Sequence, residues 1–316
     1  MVRRAITAVV VVLLGLASRA PAQEVTLKWE FQKDKPIFQE MTTITKQTMK
    51  TMGMDITQNN NQMFVFSWTP KEQDAAKNWI VVQKLEAVRM KTEIGGTTTE
   101  YDSTATNQTS SNALGEFFKA LVGSEFKLTI SPDLKVTKIE GRDEFVTKLI
   151  RANPQMEAIL KQILGDEALK QMADPAFAAI PPKPVKKGET WEKKVVLNMG
   201  PIGTYDTANT YTYEGKDGAL DKIKVDTKLK YSAPGAASSG SLPFKIKSGT
   251  DLVSKTATGM VFFDNVKHRL DHSDMKLNLE GKLDIEVGGT STQVDLTMEQ
   301  TTTVKMSDTN PVAVKK

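Results

Sequence analysis

Residues 274–303 read DMKLNLEGKLDIEVGGTSTQVDLTMEQTTT. From Met275 to Val287, apolar and polar residues alternate with a period of two, and only Gly281 interrupts the apolar row. This period places one side of the segment in a protein interior and the other in water, as in a β-strand. Gly288-Gly289 then supplies the two residues with positive φ that a type I′ turn requires. The stretch therefore predicts a long β-hairpin.

A turn at these two glycines also predicts the register of the hairpin. The resulting pairs are Leu283 with Val294, Leu279 with Met298, and Lys282 with Asp295. The apolar rows of the two strands then fall on the same face, and the charged residues fall on the other. Turn chemistry and hydrophobic pattern thus predict the same arrangement.

A second hairpin of the same design is predicted around Gly95-Gly96. Residues 93–102 align without a gap with residues 286–295 and share the Glu, both Gly, two Thr and the Asp. The predicted pairs are Arg89 with Asp102, Lys91 with Glu100, and Met90 with Tyr101. Internal duplication and convergence on favourable turn residues both explain the similarity, and the sequence leaves both open.

The remaining pattern predicts a mainly β chain with long antiparallel up-and-down strands in one or more curved sheets. An N-terminal β half is expected over 24–140, beginning with a strand at Val25–Gln32 and turning at Asn59–Asn61. Apolar residues at helical spacing predict a short helix at 112–122 and a helical segment at 142–178. A C-terminal β half is expected over 183–306, followed by a disordered tail at 307–316.

The first 22 residues have the pattern of a signal peptide. Arg3 and Arg4 form a basic region, Ala5–Ala17 is apolar, and Ala20-Pro21-Ala22 provides the small residues of a cleavage site. The apolar run is shorter than the roughly 20 residues that a spanning helix needs, although an uncleaved anchor remains an alternative. We therefore expect export, to the periplasm, cell surface or exterior of a bacterium, and no transmembrane segment in the mature chain.

Composition excludes some function classes. The formal charge is +4, and the predicted signal peptide carries three arginines, so the mature chain has a net charge of only +1. Because lysines and carboxylates are interspersed along the strands, no basic stripe for nucleic acid is expected. The chain contains no cysteine, so an exported form depends on its hydrophobic core and not on disulfides.

Motifs for catalysis are absent from the sequence. It contains no GxSxG elbow, GxGxxG loop, phosphate-binding loop or HExxH pair, and no catalytic residue or cofactor is predicted. The two histidines, His268 and His272, are weak candidates for a metal site with Asp264, Asp271 or Asp274 as further ligands. A polar turn with both rings in water explains the same residues.

Three short motifs resemble a known family. They are Tyr101-Asp102-Ser103, Gly188-Glu189-Thr190-Trp191, and the segment from Gly259 to Phe263-Asp264. Together with the N-terminal pattern they are similar to an uncharacterised family of exported, β-rich bacterial proteins, domain-of-unknown-function family 6263. The resemblance implies export and β architecture over nearly the whole mature chain. It implies no catalytic residues, because that family has no assigned activity.

Two main hypotheses for function follow. The first is a non-enzymatic cell-envelope protein that binds an apolar small molecule or lipid between a curved sheet and helices. The second is a structural or protein-interaction module that contacts another envelope protein through its polar, Thr-rich faces. An enzyme without a recognisable motif is a third, less favoured hypothesis.

Overall fold

The computed structural model describes residues 24–51, 53–105, 113–173, 177–235 and 244–313. The predicted signal peptide at 1–22 lies outside the described residues. In these ranges thirteen strands form one antiparallel sheet that is not closed. The order across the sheet is β6-β5-β3-β2-β1-β13-β12-β11-β9-β8-β7, with β4 beside β3 and β10 beside β12. The prediction of a mainly β, up-and-down architecture is confirmed.

The strands of the first half are β1 (Ile37–Thr51), β2 (Met54–Gln73), β3 (Trp79–Ile94), β4 (Thr97–Asp102), β5 (Glu125–Ile130) and β6 (Val136–Glu140). Those of the second half are β7 (Thr190–Asn198), β8 (Thr204–Asp217), β9 (Leu220–Ser232), β10 (Lys245–Ile246), β11 (Asp251–Asp264), β12 (Arg269–Val287) and β13 (Thr290–Ser307). The halves meet in the middle of the sheet, where β1 pairs with β13 from Phe38–Ser307 to Lys50–Asp295. They therefore share one continuous sheet.

The long C-terminal hairpin has the predicted register. Leu283 lies opposite Val294, Leu279 opposite Met298, and Lys282 opposite Asp295. Gly288 and Gly289 have φ angles of 58° and 84°, as a type I′ turn requires. Gly281 interrupts the apolar row because a Cβ there would meet the backbone carbonyl oxygen of Asp251 on β11. The glycine thus permits close approach of β11 and β12.

The first Gly-Gly hairpin is also confirmed. Arg89 pairs with Asp102, Lys91 with Glu100, and Met90 with Tyr101. Two of these pairs are salt bridges, with N–O distances of 3.0 Å for Arg89–Asp102 and 3.1 Å for Lys91–Glu100. Met90 and Tyr101 are buried on the opposite face.

Residues Val25–Gln32 do not form the predicted strand. Their backbone makes one isolated bridge, Val25 with Val185, and the amide of Glu30 donates to the carbonyl of His268 over 2.9 Å. The alternation is nevertheless real, because every second side chain is buried: Leu27, Trp29 and Phe31. An extended segment that buries one side shows the same period as a strand without pairing in a sheet.

The predicted turn at Asn59–Asn61 is wrong. These residues lie inside β2, paired with β1 on one side and β3 on the other, whereas the turn that the sequence also predicts near Gly53 does connect β1 and β2. Pairing with two neighbouring strands overrides the turn preference of asparagine. Pro70 is also part of β2, where a register shift between Pro70 and Glu72 marks a bulge that accommodates it.

Four helices occur in the described ranges, with the bounds α1 (Ala113–Leu121), α2 (Arg142–Ala152), α3 (Glu157–Ile163) and α4 (Asp166–Ala173). The helical insertion between the halves is therefore confirmed. Helices α1, α2 and α3 pack against β2, β3 and β4. We call this contact the helix cluster, and its buried members are Leu85, Val88, Met90, Tyr101, Phe118, Leu121, Leu149 and Leu160. These helices cover one face of the N-terminal half of the sheet.

A second and larger group, the aromatic cluster, lies at one end of the sheet. Its buried members are Leu27, Trp29, Phe31, Ile37, Trp68, Val81, Leu128, Ile130, Val136, Phe177, Val185, Trp191, Tyr211, Tyr213, Ile223, Val225, Val261, Phe263 and Leu270. The cluster contains residues of both edge strands, Val136 of β6 and Trp191 of β7. In a flat sheet with about 4.8 Å between neighbouring strands, these two edges would be about 48 Å apart. The sheet is therefore strongly curved, and α4 contacts both edge strands.

The sequence predicts a disordered tail at 307–316, but the described part of this segment, up to residue 313, has defined contacts. Ser307 closes β13, and the carboxylate of Asp308 accepts from the guanidinium of Arg269 over 2.7 Å. Because Arg269 is buried, this ion pair ties the segment to the start of β12. Residues 314–316 lie outside the described ranges.

Candidate ligand-binding face

The side of the sheet that carries the clusters, here called the inner face, is uncharged along the three central strands. The pairing of β1 with β13 and the pairing of β12 with β13 between Ser273 and Val287 contain no register shift. Because side chains alternate along a strand, every second residue of these stretches lies on the inner face. In β1, in β12 from Ser273 onward and in β13, the lysine, aspartate and glutamate residues lie on the outer face. The inner-face residues are Ile37, Gln39, Met41, Thr43, Thr45, Gln47, Met49, Thr51, Ser273, Met275, Leu277, Leu279, Gly281, Leu283, Ile285, Val287, Thr290, Thr292, Val294, Leu296, Met298, Gln300, Thr302, Val304 and Met306.

Part of this face is apolar and only half-covered. The hairpin cluster has four buried members, Tyr231, Leu252, Leu279 and Leu296. Around them lie partly buried apolar side chains: Met49, Tyr205, Leu229, Leu283 and Met298. Half-exposed side chains of this size leave apolar surface that a ligand could remove from water.

Beside the hairpin cluster runs a belt of uncharged polar side chains. The hydroxyl oxygens of Thr43 and Thr302 lie 3.3 Å apart, and the amide of Gln300 donates to Thr302 over 3.3 Å. One strand further, the hydroxyl of Thr92 donates to the side-chain oxygen of Asn60 over 3.2 Å. All five residues are half-buried. Hydroxyl and amide groups can donate and accept further hydrogen bonds, so the belt is suited to a neutral polar group.

The two ends of the inner face differ. At the aromatic end, the rings of Trp29 and Phe177 meet edge to face with centroids 5.1 Å apart. The gap among Trp29, Ile37, Trp68, Phe177 and Met306 leaves no room for a water-sized molecule. The helix cluster covers the face over β2, β3 and β4, where Phe118 stacks on Tyr101. The belt of polar side chains and the hairpin cluster are therefore the part of the inner face on which a ligand could lie.

The tyrosines at this face remain neutral at physiological pH. The Tyr231 hydroxyl donates to the carbonyl of Ile202 over 2.7 Å, and burial raises the pKa of Tyr231 to about 12. Burial likewise raises the pKa of Tyr205, whose ring lies 5.2 Å from that of Tyr231. The two tyrosines therefore add no charge to the hairpin cluster at neutral pH.

The two predicted metal-ligand candidates lie at the start of β12. Nε2 of His268 lies 4.0 Å from the carboxylate of Glu30, and Nδ1 of His272 lies 2.7 Å from that of Asp271. The His272 ring also stacks on Phe262 at 4.2 Å. In the ranges that the structure describes, no three histidine, aspartate or glutamate side chains group as a metal ion would require.

A buried carboxylate was not predicted from the sequence. Asp221 is fully buried at the β8–β9 turn, where it accepts from the Tyr213 hydroxyl over 2.7 Å and from Nζ of Lys216 over 2.9 Å. The signal available was the Gly215-to-Gly218 turn, which brings Lys216 close to Asp221. Because its oxygens are satisfied by two donors, the group stabilises the turn and does not present a reactive carboxylate to solvent.

Comparison with known proteins identifies a family. The model of a family of unknown function, DUF6263, matches residues 76–260. The chain belongs to this family. The match covers more than half of the chain, but less than the nearly complete mature chain that the short motifs implied. No curated protein matches the chain.

Several solved structures resemble this chain, all at low sequence identity and low TM-score. A structure reporting lipid–protein interactions in lipovitellin is 10% identical with a TM-score of 0.42, over 91% of this chain and 27% of that chain. Pseudomonas aeruginosa OccK5 (OpdH) is 5% identical with a TM-score of 0.24, over 87% and 99%. DynF from the dynemicin pathway of Micromonospora chersina is 9% identical with a TM-score of 0.20, over 90% and 85%. This chain thus spans about a quarter of the lipovitellin chain.

None of these TM-scores reaches 0.5. Within the described ranges, no helix has the length and apolar character needed to span a bilayer.

Proposed function

We propose that the protein binds a neutral lipid or another apolar molecule on its inner face, between the curved sheet and the helices. The observation that carries this proposal is the half-covered hairpin cluster on a face without charged residues along β1, β12 and β13. A charged ligand would find no counter-ion there, and an acyl chain would find only apolar or neutral partners.

The energetics favour an apolar chain. Burying a leucine or methionine side chain completely contributes about 1.5–3 kcal/mol relative to leaving it exposed. Met49, Leu229, Leu283 and Met298 are partly buried, so each retains a fraction of that amount for a ligand. The adjacent hydroxyls and amides of Thr43, Thr302 and Gln300 would bind the neutral polar end of an amphipathic molecule.

We also propose that the protein acts outside the bacterial cytoplasm. Arg3 and Arg4 followed by an apolar run and Ala20-Pro21-Ala22 support export to the envelope or exterior of a bacterium. Mass measurement of the mature protein from its native host tests this directly, since cleavage before Gln23 or one residue later gives a defined mass. A full-length mass in the cytoplasmic fraction would contradict export.

Native mass spectrometry on protein purified from its own host tests the ligand proposal. We expect a bound apolar mass that organic extraction removes, and a fluorescent fatty-acyl probe that the extracted ligand displaces. Protein that carries no such mass and does not bind the probe would overturn the proposal.

Two substitutions localise the binding face. Met49→Gln and Met298→Gln place an amide in the apolar surface around the hairpin cluster and should weaken probe binding about tenfold. Ile44→Gln is the matched control, because Ile44 is 53% exposed on the outer face of β1. Equal loss of binding in the control would show that the ligand does not lie on the inner face.

A further inference from the structure

A cleft of about 270 Å³ crosses β7, β8 and β9, and Leu229 is its one lining residue that also belongs to the surface around the hairpin cluster. Three adjacent residues from each strand line it. Two rows of paired residues cross the three strands here. One row is Lys194, Ala208 and Lys228, and the other is Val196, Asp206 and Lys230. The small Ala208 side chain between two lysines creates the depression.

These two rows point to the outer face of the sheet. On the same strands Trp191, Tyr211 and Val225 are buried in the aromatic cluster, and β7 and β8 pair without a register shift from there to the cleft. Because side chains alternate along a strand, Lys194, Val196, Asp206 and Ala208 face away from that cluster. The cleft is thus separate from the inner face.

The lysines of the cleft have uncompensated charge. On the preceding part of β9, Lys222 is paired with Glu214 and Lys224 with Asp226. Among the described residues, Lys194, Lys228 and Lys230 have no carboxylate within the 4.0 Å of a salt bridge. Asp206 is the one carboxylate that lines the cleft, so three lysines leave it with a net charge of +2. The site is therefore suited to an anion.

Exposed apolar side chains flank the same cleft. Val196 is 48% and Val253 46% exposed, which is unusual for large apolar residues in this protein. Lys230 pairs with Asp206 on one side and with Val253 on the other, so both valines belong to one row across β7, β8, β9 and β11. The lysines of the cleft and the two exposed valines thus lie on the same surface of the sheet.

We propose that this surface docks on a bilayer that contains anionic lipid, with a headgroup phosphate in the cleft. The lysines supply the attraction to the negatively charged membrane, and Val196 and Val253 contact the boundary between headgroups and acyl chains. A small free anion would use the lysines and leave the valines without a role. The surface is independent of the inner-face site, and each can fail without the other.

Vesicle co-sedimentation tests the docking surface. The full mature chain should bind vesicles of phosphatidylcholine with phosphatidylglycerol, should not bind vesicles of phosphatidylcholine alone, and should dissociate as salt is added. Lys228→Gln with Lys230→Gln should lower the partition coefficient about twenty-five-fold, at about fivefold for each lysine.

The matched control is Lys46→Gln with Lys276→Gln. It removes the same charge from exposed outer-face lysines of β1 and β12, and binding should change by less than about twofold. If both double variants weaken binding equally, binding depends on the net charge of the protein and not on the cleft, and the proposed site is wrong. Val196→Ser with Val253→Ser provides a second check, since it should weaken binding without changing the salt dependence.

Two soluble probes distinguish a bilayer from a free anion. Inorganic phosphate and short-chain phosphatidylglycerol below its micelle concentration should compete only weakly with vesicles. Tight binding of either probe in the absence of vesicles, or unchanged vesicle binding in both the lysine and the valine variants, would contradict membrane docking.

Discussion

The hydroxyl oxygens of Thr43 on β1 and Thr302 on β13 lie 3.3 Å apart, although the two residues are 259 positions apart in the chain. This contact lies on the seam where the first and last strands pair over most of their length. Because the seam is in the middle of the sheet, neither half has an independent sheet edge there. The two β-rich halves thus form a single hydrogen-bonded unit.

The shared sheet predicts cooperative unfolding. Denaturant titrations followed by tryptophan fluorescence and by far-UV circular dichroism should give one coincident transition, since the described tryptophans occur in both halves. Two separated transitions, or midpoints that differ between the probes, would contradict the continuous seam.

A proline in the seam should be strongly destabilising. Thr43→Pro removes a backbone donor from a strand with neighbours on both sides and should lower the free energy of unfolding by about 3 kcal/mol or more. Thr190→Pro is the control, because Thr190 is the first residue of the edge strand β7. Chemical denaturation measures both, and similar losses would argue against the central position of β1.

The face assignment of the long hairpin can be tested with two neighbouring residues. Leu283→Lys places a charge beside Val294 on the inner face and should destabilise by about 2 kcal/mol. Lys282→Leu changes the exposed face and should alter stability by less than about 0.5 kcal/mol. Equal losses in a thermal denaturation experiment would overturn the assignment.

The glycines of the hairpin have different roles and should respond differently. Gly289→Val forces a β-branched residue to a φ of 84° and should cost about 1–2 kcal/mol. Gly281→Ala should cost about 2–3 kcal/mol, because its methyl group would meet the Asp251 carbonyl. Gly289→Ala, with no atom near the added Cβ, should cost less than Gly281→Ala. The reverse order would contradict the close approach of β11 and β12.

Alkaline pH should destabilise the protein through its buried tyrosines. Burial raises the pKa of Tyr211 to about 12, and burial together with the hydrogen bond to Asp221 raises the pKa of Tyr213. The unfolded value is about 10, so the folded state retains protons that the unfolded state releases above that pH. The stability contribution is therefore complete below about pH 10 and is lost as pH rises toward the folded pKa values.

Denaturant midpoints measured as a function of pH test this behaviour. Tyr213→Phe should lower stability at neutral pH, because Asp221 loses a donor, but should reduce the decline above about pH 10. An unchanged alkaline slope in this variant would show that Tyr213 titrates normally.

Local features of the fold could be predicted from sequence, whereas long-range pairing could not. The register of both hairpins follows from a Gly-Gly turn and alternating residues within a few positions of it. The seam between β1 and β13 depends on residues 259 positions apart, and strand sequences of similar composition do not specify which strands become neighbours.

The misassigned segments have local patterns that the tertiary structure overrides. Leu27, Trp29 and Phe31 alternate like a strand because one side is buried in the aromatic cluster, not because the backbone pairs. Asn59–Asn61 resembles a turn but is held between two strands. The outer cleft could not be predicted either, because Lys194, Ala208 and Lys228 become neighbours only through the register of three strands.

The seam has a consequence for how the chain acquires its structure. Among the described strands, β1 lies between β2 and β13, so one edge of β1 stays open until β13 has been synthesised. Sheets that depend on such distant partners assemble slowly, and their open edges invite pairing with other chains in the meantime. Before β13 forms, β1 is therefore an open edge through which two chains can pair.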